Sequence, residues 1–466
     1  MKIAIVGAGI SGLLTAYLLR KKQPNASIIL FEKSDRVGGN VHTVDVAVGQ
    51  SSNQIRWADL GVNDFNVVTY KNITALMNEL EVTYKPIEDS VSYSTMDGTI
   101  SYVIDPDYQA GSDHATTMLP LVQKGLDNFS KQAPIDCQDP AFSEFSIADY
   151  IHYRNNHNPD NDPNFYPVEF VQYNLYPRIN GMYFVHDTMP STMSFVAIMG
   201  YYSLQEGFGS APPERVYIEG GCQTWVDALM DKLLEQDVAV VHNAQVQVFA
   251  SPDGVDLLVN HNSFEHFDAV VMACHASTAL KLIQQGITND IVNVLSQFDY
   301  YNSVAVAHTY APLLPTERNA WRTYNILIHG DDTQLRPYTI SYICNRHQNH
   351  VANSDYGRNP EFFVTLNPAI PIPDSYVLKQ ADGTPAVTHF THNIVNVETL
   401  KAQRFLWSGY GTGIQGQNNL YFTGGWTLGT GLHEECYQSA ERIVNRLLDR
   451  SFTHKCIELD FSQVTA

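Results

Sequence analysis

At 466 residues, with 44% hydrophobic and 17% charged side chains, the chain has the composition of an ordinary folded protein and enough length for two cores. A formal charge of −21 argues against non-specific nucleic-acid binding and against docking by charge on an anionic membrane. Six cysteines without C-x-x-C spacing read as reduced thiols, and no apolar run is long enough to cross a membrane, so a cytoplasmic protein is expected.

The first element, Ile3 to Val6, is an apolar run too short for a helix and closed at once by glycine. That is the pattern of a buried parallel strand and not of a signal peptide. Gly7, Gly9 and Gly12 follow at the spacing of the dinucleotide-binding fingerprint. The first makes the tight turn, the second admits a pyrophosphate, and the third lets helix pack on strand. Ile10 and Ser11 open that helix, whose free N–H groups suit phosphate oxygens. Ile28 to Phe31 reads as the second strand, and Glu32, twenty residues after Gly12, is placed to accept hydrogen bonds from a ribose 2′-OH. A 2′-phosphate would be repelled there.

After Glu32 and Lys33, Arg36, Gly38 and Gly39 form a second phosphate-approach turn, followed by Asn40. Asp59, Leu60, Gly61, Val62, Asn63 and Asp64 make a third glycine turn. These motifs together resemble the FAD-binding half of the flavin amine oxidase superfamily over residues 1–64. The resemblance implies FAD as cofactor, held by Gly7, Gly9, Ile10, Ser11, Gly12, Glu32, Lys33, Arg36, Gly38, Gly39, Asn40, Leu60, Gly61, Val62 and Asn63. That family usually carries arginine where this chain has Asn40.

Between about 76 and 204, tyrosine, asparagine and proline accumulate. Helices are expected over Ile73–Leu80 and His114–Phe129, and Met193–Leu204 is a long apolar and aromatic run. The pattern then returns to an amphipathic helix through Leu234 and strands over Val238–Val241, Val246–Phe249 and Phe267–His275. By resemblance, the backbone of Val246 holds the adenine and Ala273 lies under the cofactor. Ser303–His308 and Tyr338–Cys344 alternate like strands with one face buried, as the floor of a substrate cavity.

The closing stretch runs from Asn419 through Gly424, Gly425, Trp426 and Leu432 to a helix beginning near His433. It resembles the superfamily's C-terminal flavin motif, in which the helix N-terminus faces the flavin N1–C2=O edge. Negative charge develops there on reduction, so a positive dipole end would stabilise it. The implied fold is α/β: a Rossmann-type FAD-binding domain (1–75, 205–290, 405–450) with an inserted α+β substrate domain (76–204, 291–404) and a tail at 451–466.

Several stretches also look like a bacterial group of amine-oxidase-like proteins, some of whose relatives act on unsaturated fatty acids. The family's aromatic cage position falls at Leu432, with Trp426 as a nearby ring. An apolar or unsaturated small-molecule substrate is therefore expected, oxidised or isomerised by hydride transfer with flavin N5. His433, Glu434 and Trp426 are the candidate catalytic side chains. His433 is read as a neutral base beside a helix N-terminus or as a hydrogen-bonding partner of the flavin, with Glu434 beside it. Alternatives are an amine or amino-acid oxidase and a non-catalytic FAD-stabilised subunit. His389 and His392 have no nearby carboxylate, so no metal is expected.

Overall fold

The N-terminal apolar run forms strand Lys2–Val6 in the structure, a computed structural model that describes residues 1–48, 55–104, 113–158, 162, 164–183, 190–209, 211–328, 338–348, 361–408 and 413–449. The tail expected at 451–466 lies outside these residues. Ile3 and Ile5 point to one core, and Ala4 and Val6 to another on the opposite face. Two buried faces are what a continuous apolar strand requires. The strand is the centre of a five-stranded sheet in the order Ala239–Val241, Ser27–Phe31, Lys2–Val6, Ala269–Met272 and Leu420–Phe422, with every pairing parallel.

Helices Ile10–Lys22, Gln223–Glu235 and His433–Leu448 supply residues to the core on one face. The other face packs against a four-stranded sheet that includes Val246–Ser251 and Gly254–Val259, and against helix Val397–Leu406. The Phe267–His275 stretch is shorter as a strand than expected, since residue 267 ends a separate strand, Ser263–Phe267.

A second sheet has seven strands, in the order Val387–Asn393, Tyr300–His308, Phe363–Leu366, Tyr338–Ile343, Tyr324–Ile328, Val91–Thr95 and Ser101–Val103. The expected alternation is present, but Tyr338–Ile343 is buried at every position. Ile326, Ile340 and Val364 lie in an apolar core with Val46 and Leu60. The alternate positions are polar and pair with one another: Ser92 Oγ donates to Asn325 Oδ1 at 2.8 Å, Ser341 and Thr365 hydroxyls lie at 2.7 Å, and Thr365 meets His308 Nε2 at 2.6 Å. Mutual satisfaction lets polar side chains stay out of water. The polar half of the pattern therefore did not mark solvent.

The expected helices appear as Lys71–Glu79 and Asp113–Asp136, and the apolar and aromatic run from Met193 forms a further helix, Phe195–Glu206. The last begins where the Ser194 hydroxyl accepts the Ala197 N–H and ends at Gly207, whose φ of +69° is left-handed. Cys137, Cys222, Cys274, Cys344 and Cys436 are free thiols. Among the described residues, no helix is long and apolar enough to cross a membrane.

Candidate functional site

A cavity of about 780 Å³ runs from the fingerprint turn to the region between the two large sheets. At its start, Gly9 and Gly39 face each other. A Cβ on Gly9 would lie 3.8 Å from the Gly39 Cα and is otherwise unobstructed, and Gly39 itself has φ of +62°. The two glycine turns are tied together by the Gly38 N–H donating to the Ala8 carbonyl at 2.8 Å. Gly12 acts differently. Its absent Cβ would sit 2.0 Å from the Gly7 carbonyl oxygen, so it permits the helix to approach the strand and does not line the cavity.

Glu32 is 7% exposed and lines the trench. Its carboxylate accepts the Ala8 N–H at 2.8 Å and, on the other oxygen, the Ser34 N–H and hydroxyl at 3.0 and 2.7 Å. Glu32 thereby fixes the fingerprint turn as well as facing the ligand space. The Arg36 guanidinium donates to the Gly39 and Val41 carbonyls, both at 2.8 Å, and holds the second glycine turn. Burial lowers its proton affinity, while Glu32 and Asp35 act in the opposite sense.

Ile10, Ser11, Lys33, Gly38, Asn40, Gly61, Val62 and Asn63 line the same cavity, with Val246 and Ala273 also in its wall. Leu60 does not: it is fully buried in the apolar core of the seven-stranded sheet. Strand Val387–Asn393 crosses beside the trench, where Asn40 Nδ2 donates to the Thr391 carbonyl at 3.4 Å and His42 Nδ1 meets the Thr388 hydroxyl at 2.6 Å. Both His389 and His392 face the cavity.

Of the closing motif, Gly424, Gly425, Trp426 and His433 line the cavity. Trp426 is 1% exposed, its indole N–H donates to the Cys274 carbonyl at 2.9 Å, and its ring meets Phe298 edge-on at 4.6 Å. The ring expected near the cage position is thus a fixed piece of the cavity wall. His433 lies against Phe65 and Trp225, with ring centroids at 5.1 and 5.4 Å. Burial pushes its pKa down to about 3, and its Nδ1 has no hydrogen-bond partner. The imidazole is neutral as expected, but desolvation is the cause.

Glu434 differs from its expected role. Its carboxylate accepts the N–H groups of Asn72 and Ile73 and the Asn72 side-chain amide at 2.6 Å, and it is absent from the cavity wall. The N-cap of helix Lys71–Glu79, Tyr70, supplies no capping side chain, so a distant carboxylate takes the orphaned donors. Glu434 is structural in position.

Beyond the trench the cavity continues as a chamber walled by Asp64, Tyr70, Met182, Tyr183, Tyr201 and Gln205. Apart from Asp64, which ended the third glycine turn, none was singled out by sequence. The Arg215 side chain, 6% exposed, donates from Nε to Asp64 Oδ2 at 2.5 Å and from Nη1 to Asp89 at 2.8 Å. Arg178 donates to Glu206 at 2.5 Å. Burial lowers the proton affinity of Arg215, but Asp64 and Asp89 outweigh it and hold the guanidinium charged. Asp64 Oδ2 also takes the Gln205 amide at 3.0 Å. The Arg215 Nε and Gln205 contacts thus fall on the same Asp64 oxygen.

A parallel sheet whose glycine turns, terminal carboxylate and closing helix converge on one elongated cavity defines a dinucleotide-binding oxidoreductase of the flavoprotein kind. The trench fits FAD: the Gly9 Cβ position opens onto it, and the buried Nδ1 of His433 is left for a partner at its far end. The chain belongs to the flavin-containing amine oxidoreductase family, whose model matches residues 10–344. It is 46% identical over 41 residues to coproporphyrinogen III oxidase of Staphylococcus aureus (strain NCTC 8325 / PS 47), a match spanning 9% of each chain. Its fold is similar to that of a putrescine oxidase variant, with a TM-score of 0.63 at 13% identity over 96% of this chain and 99% of the other. A fatty acid isomerase of P. acnes that produces CLA gives 0.60 at 14% identity over 95% and 98%. The protein is thus an FAD-dependent oxidoreductase.

Proposed function

We propose that the enzyme removes a hydride from a carbon atom of an apolar-bodied substrate that carries an amine, with the trench holding FAD and the tyrosine-walled chamber holding the substrate. Bound flavin supplies the hydride acceptor at N5. The observation that carries the reading is Asp64: one of its oxygens is saturated by Arg215 and Gln205, while the residue lines the chamber. The cluster behind it contains two guanidiniums, Arg178 and Arg215, and three carboxylates, Asp64, Asp89 and Glu206. Among the described residues this cluster leaves one negative charge over beside a chamber with an aromatic lining, which favours a substrate that brings a positive charge or donors. Tyr183 and Tyr201, 5.3 Å apart, provide ring faces for such a group.

A second reading keeps the unsaturated, acyl-like substrate and the desaturase or isomerase chemistry. Leu432 in the cavity wall supports it, because an aliphatic side chain there suits a hydrocarbon better than a cage for nitrogen does. Both readings share one division of labour. Residues 1–75, 205–290 and 405–450 form the FAD-binding domain, and 76–204 and 291–404 form the substrate domain. His433 hydrogen-bonds the flavin edge through Nδ1 and excludes water there, and Trp426 backs the cofactor. The free thiols support a cytoplasmic location.

The test is anaerobic bleaching of the flavin absorbance with two panels, one of amines and one of unsaturated fatty acids. Bleaching by an apolar amine supports the first reading. Bleaching, or product without net reduction, with a fatty acid replaces it with the second. No response to either panel would favour a subunit that holds FAD without turnover.

A further inference from the structure

The loop Thr430–Leu432 and the start of helix His433–Leu448 form one end of the cavity. An uncompensated helix start would offer its N–H groups and positive dipole to whatever binds there. This one is compensated from within. Glu435 Oε2 accepts the N–H groups of Thr430, Gly431 and Leu432 at 3.0, 2.9 and 2.9 Å and the Thr430 hydroxyl at 3.2 Å. Gly429, with φ of +52°, leaves the space that the carboxyl fills: a Cβ there would sit 1.7 Å from Glu435 Oε1. Glu435 is 7% exposed. The loop therefore turns its donors inward to Glu435 while its other side faces the cavity.

We propose that Glu435 sets the reduction potential of the bound flavin, carrying a negative charge while the flavin is oxidised and taking up a proton from solvent when the flavin is reduced. This rests on the reading that the flavin N1–C2=O edge meets the Thr430–His433 loop. Hydride arrival adds two electrons and one proton to the flavin and leaves one net negative charge on that edge. A second anion close behind the loop opposes it, so the carboxylate gains proton affinity and becomes a neutral carboxyl. Electrons and protons balance: the substrate gives the hydride, and solvent gives the proton.

Burial pushes the Glu435 pKa up to about 7 against the downward pull of its N–H donors, so the switch falls in the neutral range. The other ionisable groups facing it do not change charge there. Tyr70 and Tyr183 are held well above the usual phenol range by burial, the Cys436 thiol is pushed up to about 12, and His433 is pushed down to about 3. Glu434, on the same helix, is engaged with Asn72 and Ile73. Thr430 connects the carboxyl to the cavity, since it lines the wall and donates its hydroxyl to Oε2.

The experiment measures the midpoint potential of the FAD-loaded protein from acid to alkaline pH for wild type, Glu435→Gln and His433→Leu. Glutamine retains an acceptor for the loop N–H groups without the charge. The expected result is a potential in Glu435→Gln above wild type on the alkaline side, merging with it on the acid side, and a wild-type slope steeper by up to one proton per two electrons in between. Coincident curves for wild type and Glu435→Gln overturn the proposal. His433→Leu then says which premise failed. If it shifts the potential or the flavin spectrum, the flavin lies at the loop and Glu435 is inert; if it does neither, the flavin lies elsewhere. Should Glu435→Gln not retain FAD, reduced-minus-oxidised infrared spectra of wild type decide. A protonated-carboxyl band appearing on reduction supports the proposal, and its absence overturns it.

Discussion

Glu434 and Asn72 meet across 362 positions of sequence, the Glu434 carboxylate accepting the Asn72 backbone N–H at 3.1 Å and its side-chain amide at 2.6 Å. The helix Lys71–Glu79 is thus capped by a residue that adjoins the cofactor loop. Replacing the cap should cost about 1–2 kcal/mol, as loss of an N-cap does. Glu434→Ala is expected to lower the urea midpoint while flavin remains bound and reducible. A variant of unchanged stability that no longer supports flavin reduction would restore Glu434 to the chemistry.

At the other end of the trench, Gly9→Val projects a branched side chain from a Cβ position with no protein atom nearer than the Gly39 Cα at 3.8 Å. The side chain would occupy the space a pyrophosphate needs. Purified variant should elute from gel filtration folded but colourless, with loss of nearly all flavin absorbance per chain. Full occupancy would move the pyrophosphate off this turn.

Asp64 supplies the next expectation. Asp64→Asn preserves shape and the contact to Arg215 but removes the chamber's charge. Hydrogen bonds to a charged group contribute about 1.5–3 kcal/mol, so KM for an amine substrate should rise about tenfold or more, with kcat less affected. Steady-state kinetics at fixed ionic strength read this directly. An unchanged KM for amines would favour the unsaturated substrate.

The buried histidines give the stability a pH dependence. His308, His347 and His433 each have pKa values pushed down to about 3 by burial, against about 6.5 in an unfolded chain. Between those values the unfolded chain binds protons that the folded chain refuses. Stability is therefore full above about 6.5 and falls as pH is lowered toward 3. His308 is fixed as the neutral Nε2–H form, because its Nδ1 accepts the Tyr310 N–H at 3.0 Å. His308→Asn should be less stable at pH 8 yet show a flatter urea midpoint between pH 6.5 and 4. Parallel curves would mean that His308 contributes nothing to the acid loss.

The trench was legible because its determinants are local. Gly7, Gly9, Glu32, Gly38 and Gly39 act through backbone turns and strand ends, and those carry sequence spacing. The chamber was not. Tyr70 and Tyr183 come from two separate segments and Tyr201 and Gln205 from a third, the helix Phe195–Glu206, and each alone looks like a residue buried for packing. Glu434 and Glu435 illustrate the same divide: adjacent acids at a helix start look equivalent in sequence. One side chain nevertheless points to Asn72 and the other to Thr430, which only the path of the chain decides. The anchoring of Trp426 was hidden for a related reason, since its partner Cys274 is distant in sequence.

The packing of helix Ile10–Lys22 against helix His433–Leu448 has a consequence for synthesis on the ribosome. The fingerprint emerges before its covering helix and the Gly424–His433 loop, which are translated some four hundred residues later. At about 5–20 residues per second, the nascent chain spends roughly 20–80 s with that apolar face uncovered and the cofactor trench open at one end. Retention of flavin then reports that the C-terminal helix has docked, and chains stopped before residue 433 should be colourless and dependent on chaperones.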